Sequence, residues 1–172
     1  MIDSDVVLGV NVRIFSQDMV NLFGCKIGDN TFVGPFVEIT RNVVVGRNCV
    51  IESHAFLCDS VVLEDNVFVS HGAMFTNDLY PKVGLHVEYL PTLVKEYASI
   101  GTNATIVAGV TIGKHAIIGA GSVITKNVED FSIYAGNPAR KLKQFNDYTE
   151  LSGYIRSRQR LSRDDKNVAK NV

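Results

Sequence analysis

The sequence predicts an all-β fold, a solenoid of parallel coils built from six-residue repeats, and three observations carry that prediction. Aliphatic residues recur every six positions, at Ile27, Val33, Ile39, Val45, Ile51, Leu57, Leu63 and Val69, and again at Ile100, Ile106, Ile112, Ile118 and Ile124. Four positions after each of these stands a small or β-branched residue, from Thr31 and Val37 to Ser122 and Val128. Glycine often follows the aliphatic residue, at Gly28, Gly34, Gly46, Gly101, Gly113 and Gly119. A helical face repeats about every 3.6 residues and a straight strand about every two, so a period of six fits neither. It fits short strands joined by tight corners, each segment pointing one bulky and one small residue inward. Glycine or polar residues then take the corners, where positive φ is often required. Stacked coils pair each strand with those above and below and bury a continuous aliphatic column.

The elements follow in order. Leu8 and Ile14 start the first coil, and the register slips across residues 18–26 before Ile27. Between Val69 and Ile100 the spacing is one residue more than five repeats, so a loop interrupts the coils at about residues 75–98. Asn77-Asp78, Pro81, Gly84 and Pro91 suit such an excursion, and a long loop in a compact domain is commonly functional. The repeat ends after Asp130. From about Asp147 to Lys166, Tyr148, Leu151, Ile155 and Leu161 stand at roughly helical spacing and predict a terminal helix able to cap the last coil. The expected division is a β-helix over 1–145 and a helix and tail over 146–172.

A chain of 172 residues is about one domain long and can bury a core without staples. The net charge of −1 hides an asymmetry: from Ala139 onward nine Lys and Arg face four Asp and Glu, while the rest carries eight against fourteen. A basic tail on an acidic body suggests a local anion site. Few aromatics interleave its cations, which argues against nucleic acid. Cys25, Cys49 and Cys58 form no metal-binding spacing and fit a reducing compartment. The acidic start and the absence of a long apolar run predict a cytoplasmic protein without membrane contact.

The repeat Ile-Gly-x-x-Ala/Ser/Val-x, the run Ile118-Gly-Ala-Gly-Ser-Val-Ile-Thr-Lys126 and the closing Gly136-Asn-Pro-Ala-Arg140 resemble the hexapeptide-repeat acyltransferases over roughly residues 8–145. That resemblance implies a left-handed coil, a triangular prism, a homotrimer and active sites between subunits. Within the group, Val67 to Pro81, with His71 and Asn77, and Tyr97 to Ala104 look like N-acetyltransferases acting on the 3-amino group of nucleotide-linked sugars. Such enzymes use acetyl-CoA, need no metal, and make 3-acetamido sugars for surface glycans such as lipopolysaccharide.

Amide formation needs a neutral amine, donors for the oxyanion and a destination for the proton. Asn77 is the first catalytic candidate, since its amide can hold the amine or the thioester oxygen; otherwise it is a turn residue. His71 and His54 sit on the coils leading up to the loop, where a neutral imidazole is a candidate proton acceptor, though a surface or interface histidine is as good a reading. His86 and His115 are better taken as structural. The resemblance places Thr102, Ala120, Thr125 and Lys126 along the pantetheine and phosphates of coenzyme A, with Arg140 and Lys143 reaching its phosphates. Small residues at 102 and 120 let backbone amides approach, and the cations supply charge-assisted bonds. Glu38, Glu52 and Glu64 read as solvated outward positions, and the cysteines as packing residues. Two other readings compete: O-acetylation of small molecules, and a γ-carbonic anhydrase-like metal site, to which His54 and His71, seventeen residues apart, are relevant.

Overall fold

The computed structural model describes residues 1–84 and 88–168, with side chains through Gln159. The chain winds into a left-handed parallel β-helix of triangular section. Its first face stacks Val7–Leu8, Lys26–Ile27, Val44–Val45, Val61–Leu63, Thr92–Val94 and Thr111–Ile112. The second stacks Arg13–Ile14, Phe32–Val33, Val50–Ile51, Phe68–Val69, Ser99–Ile100 and Ile117–Ile118. The third stacks Asn21–Leu22, Glu38–Ile39, Phe56–Leu57, Met74–Phe75, Thr105–Ile106 and Val123–Ile124. The first corner leads from first face to second, the second corner from second to third, and the third corner from third back to first.

The inward pattern is as the repeat requires. All thirteen aliphatic positions are at most 2% exposed, and the thirteen small positions are buried with them. A buried hydroxyl in this column must find partners. Thr31 Oγ1 accepts from the Cys49 amide at 3.0 Å and donates to the Gly46 carbonyl at 3.0 Å. The ladder is also longer than the aliphatic count suggests, because Phe75 and Val94 occupy inward positions at 1% and 0% exposure. Thr92–Val94 is therefore already back in the coil, and the excursion runs between Phe75 and Thr92. The early slip is absorbed by a 3-10 turn at Gln17–Met19, after which Leu22, fully buried, takes the inward place on the third face.

The corners meet two separate demands. Left-handed backbone falls three residues after twelve of the thirteen aliphatic positions, most often on asparagine (Asn30, Asn42, Asn48, Asn66 and Asn103, φ 55–62°), and on glycine at Gly72, Gly109 and Gly121. His54 (φ 63°) and His115 (φ 54°) hold the same place, so both are corner residues. The glycine directly after the aliphatic residue answers a different constraint. A Cβ on Gly28 would stand 2.6 Å from the Gly46 carbonyl, and one on Gly101 would stand 2.5 Å from that of Ile118.

The top of the prism is closed by an element the periodicity does not reveal. Ser132–Gly136 continues the second face in parallel beside Ile117–Ile118, then turns through a cis Asn137-Pro138 bond into the antiparallel strand Ala139–Gln144. The helix Tyr148–Val168 follows. It stands by the first corner, where Tyr148 lies 4.7 Å from the His115 ring, itself stacked between Tyr97 and Phe131. Leu151 and Phe145 are buried beneath it; the Leu161 side chain lies outside the described residues. Ion pairs staple the same corner: Arg47 to Asp65 at 2.7 Å, Lys114 to Glu96 at 2.5 Å and Lys95 to Asp130 at 3.3 Å. No described helix is long and apolar enough to cross a membrane.

Close coil stacking should make Gly28 intolerant. Gly28→Ala is expected to cost about 2 kcal/mol by overpacking, read as a lower urea midpoint. Gly153→Ala, exposed on the helix with open space around it, is expected to raise stability by about 0.5 kcal/mol.

Candidate active site

The coil places the candidate residues on two different edges. His54, His71, Thr102 and Ala120 all follow second-face strands and line the second corner. Asn77, Thr125 and Lys126 follow third-face strands and line the third corner. One subunit therefore does not bring the two groups together.

On the third corner the chain leaves the prism. The Thr76 amide donates to the Ile106 carbonyl at 3.0 Å, and its hydroxyl accepts from the Ala108 amide at 3.0 Å. The Asn77 carbonyl accepts from the Leu90 amide at 3.1 Å, which closes the neck of the loop. Asn77 thus stands where excursion and coil meet. Beside it opens a cavity of about 460 Å³, walled by Phe56, Phe75 and Tyr89, with Arg41, Asn77 and Asp78 at its polar edge. Phe23, Thr40, Cys58 and Asp59 also line it. This volume suits a small molecule in a mostly apolar cleft with few polar groups. Sequence reasoning did not find Phe23, Thr40, Arg41 or Tyr89. A signal existed: the eighteen-residue steps Thr40, Cys58 and Thr76 form one column.

Higher on the same corner, Thr125, Lys126, Asn127, Tyr134, Arg140 and Lys141 surround a second cavity of about 360 Å³. The expected phosphate contacts Lys126 and Arg140 therefore come together, although from separate elements. Lys141, in contrast, is held by Glu129 at 2.8 and 2.9 Å, and the pair raises its pKa. Lys143 lies apart from this cavity, its ammonium 4.1 Å from the centre of the Tyr154 ring.

On the second corner, His71 Nδ1 is 2.9 Å from Ser53 Oγ, and its Nε2 is 3.9 Å from a Glu52 oxygen. The imidazole is largely exposed, at 58%. His54, one coil below, rests against Phe36 with ring centres 4.8 Å apart. The Thr102 hydroxyl is hydrogen-bonded to buried Ser70 at 2.8 Å, and Ala120 is exposed. His115 belongs to the aromatic stack on the first corner, where burial lowers its pKa. His86 lies outside the described residues. Among the described residues, no three His, Cys, Asp or Glu side chains converge on a point where a metal ion would sit. Glu64 accepts from the Glu96 amide at 2.9 Å and so has a structural task.

Comparison with known proteins adds to this geometry. The family described as bacterial transferase hexapeptide (six repeats) matches residues 24–59 and 91–126, on either side of the loop. This is a hexapeptide-repeat protein. It is similar to the bifunctional protein GlmU of Thermosipho africanus, 38% identical over 113 residues, which cover 66% of this chain and 23% of that one. Over 49 residues it is 55% identical to the dTDP-3-amino-3,6-dideoxy-α-D-galactopyranose 3-N-acetyltransferase of Aneurinibacillus thermoaerophilus, covering 28% and 26% of the two chains. The alignment with each of these curated relatives thus spans about a quarter of the relative's length. Among solved structures, AntD, an N-acyltransferase from Bacillus cereus in complex with dTDP and coenzyme A, superposes with a TM-score of 0.73. That match is 22% identical and covers 88% of this chain and 91% of the other, a likeness of fold.

The thiols of the hexapeptide-repeat protein are buried, and burial pushes Cys25 and Cys58 up to about 11 from the ordinary 9.0. A maleimide at pH 8 is expected to label them only after unfolding. Above pH 9 the unfolded chain releases these protons first, so stability should fall as pH rises toward 11. Urea midpoints at pH 8 and pH 10 test this, and the decline should be smaller in Cys58→Ala.

Proposed function

We propose that this protein transfers acetyl from acetyl-CoA to the 3-amino group of a nucleotide-linked sugar, carried by dTDP or UDP, in surface-glycan synthesis. The observation that carries the reading is Asn77 on the lip of the aromatic-walled cavity at the root of the loop. The local identity with a dTDP-amino-sugar N-acetyltransferase and the fold shared with an N-acyltransferase support it.

The division of the candidate residues between two edges gives the reading its architecture. In a homotrimer the third corner of one subunit faces the second corner of the next. Asn77, Thr125, Lys126 and Arg140 then line one wall of each site, and His71, His54, Thr102 and Ala120 the other. The Lys126–Arg140 cavity takes the phosphates of coenzyme A, while Lys143 stands outside it over Tyr154. Thr102 and Ala120 flank the pantetheine, where a small side chain lets the ligand reach the backbone.

The chemistry then balances. The neutral amine attacks the thioester carbonyl, a C–N bond forms, and the C–S bond breaks as the tetrahedral intermediate collapses. The Asn77 amide donates to the oxyanion while it exists. His71 is hydrogen-bonded to Ser53 through Nδ1, which leaves Nε2, 3.9 Å from a Glu52 oxygen, to face the amine proton. The departing thiolate is the alternative acceptor, and His54 supports the same edge.

Asn77→Ala is expected to lower kcat by roughly 10²–10³, the scale of a lost oxyanion donor. Its affinity for coenzyme A should be unchanged by calorimetry. His71→Gln separates the two proton routes: with His71 as base, kcat is expected to fall by roughly 10²-fold or more, and with the thiolate as acceptor it should stay near the wild-type value. Thiol release across dTDP- and UDP-linked 3-amino sugars, a 4-amino sugar, serine and a galactoside tests the whole reading. Turnover only with serine or galactoside would replace it with O-acetylation.

A further inference from the structure

Arg41 has a place in the large cavity that neither the repeat nor its requirements for folding explain. Its stem lies on the backbone of the coil below at Gly24, where an added Cβ would stand 2.5 Å from Arg41 Cγ. Gly24 also has φ +61°, so the glycine both turns the corner and leaves the channel for that stem. The guanidinium then rests 5.3 Å from the centre of the Phe23 ring. Stacking of this kind holds a planar cation in place while leaving its N–H fork free. Among the described residues, Arg41 takes part in none of the ion pairs, whereas Arg47, Lys95, Lys114 and Lys141 each have a carboxylate. The nearby Asp59 forms no ion pair with it; its Oδ1 accepts from Asn42 at 3.1 Å and Ser60 at 3.2 Å.

A positioned, unpaired guanidinium facing an aromatic-walled cavity asks for an anion attached to a flat or ring-shaped body. Its height in the prism says which part of the ligand. Arg41 lies two coils below Asn77, and strands in register are about 4.8 Å apart, so the vertical offset is roughly 10 Å. An amine held at Asn77 is separated by about the length of a pyranose and its anomeric linkage from a diphosphate at Arg41. We propose that Arg41 is the specificity-determining clamp for the diphosphate of the acceptor. The sugar would lie along the third corner between Arg41 and Asn77, against the aromatic wall. This inference rests on the acceptor class proposed above.

Calorimetric titration of the whole protein with dTDP, UDP and coenzyme A tests it in wild type, Arg41→Met and Arg41→Lys. The Met variant is expected to weaken the nucleoside diphosphates by roughly tenfold or more, the scale of a lost charge-assisted hydrogen bond. Coenzyme A affinity should stay at the wild-type value, which also reports an intact fold. The Lys variant should lie between, because it keeps the charge and loses the fork. Equal nucleotide affinity in wild type and Arg41→Met would overturn the clamp while leaving acetylation of nucleotide sugars standing. So would a loss confined to acceptors bearing a carboxylate. No binding of either nucleotide to wild type, together with no turnover of any nucleotide sugar, would overturn both.

Discussion

The spacing of stacked coils is the constraint on which everything else depends. Successive turns hydrogen-bond at the strand–strand distance, so each turn has room for only a thin inward layer. One bulky and one small residue per segment fill it, and the corner after each bulky residue must admit the backbone above. Gly28 beneath Gly46, Gly101 beneath Ile118 and Gly113 beneath Glu129 show how close that approach is. Because each turn is nearly the same length, a residue's number translates almost directly into an edge and a height.

Much of the fold was therefore legible in the sequence, and the exceptions are places where number and position part company. Phe75 belongs to the aliphatic ladder by position but not by type, and Val94 is separated from it by the loop. Both were read as excursion, although they are inward residues. The hairpin Ser132–Gly136 and Ala139–Gln144 escaped because its strands are longer than a repeat segment and one runs antiparallel. Its turn sequence, Gly136-Asn-Pro-Ala-Arg140, was visible only as a motif. The positive-φ corners fall on asparagine, other polar or aromatic residues and some glycines, whereas the glycine directly after the aliphatic residue serves close approach.

The site was legible by residue type and only partly by place. Lys126 and Arg140 come together as the family pattern implies, since repeat and closing hairpin meet at one corner. Lys143 does not join them: it lies across a register shift in the hairpin from Lys141, and its ammonium stands over Tyr154. Phe23 and Arg41 were hidden by the short step from Leu22 to Ile27, which breaks the eighteen-residue rule. In this stretch strands pair seventeen residues apart, Asn21 with Glu38, so Arg41 stacks over Gly24. The irregular first coil is thus the part that shapes the floor of the large cavity.

That irregularity has a chemical counterpart. A perfectly regular prism presents the same small corner at every height, and so offers a ligand a uniform groove. Here the third corner changes character as it rises. It begins with Phe23 and Arg41, passes Thr40 and Cys58, meets Asn77 at the loop neck, and ends among Thr125, Lys126 and Arg140. Aromatic surface, an amide and cations are laid out along one edge in a fixed order, with the spacing of strands as the ruler. Two substrates that meet at a reacting centre, each carrying its anion to an opposite end, are what such an edge can read. A short acceptor, engaging only the middle of the edge, would leave Arg41 unpaired, and discrimination against it would come from that unused charge.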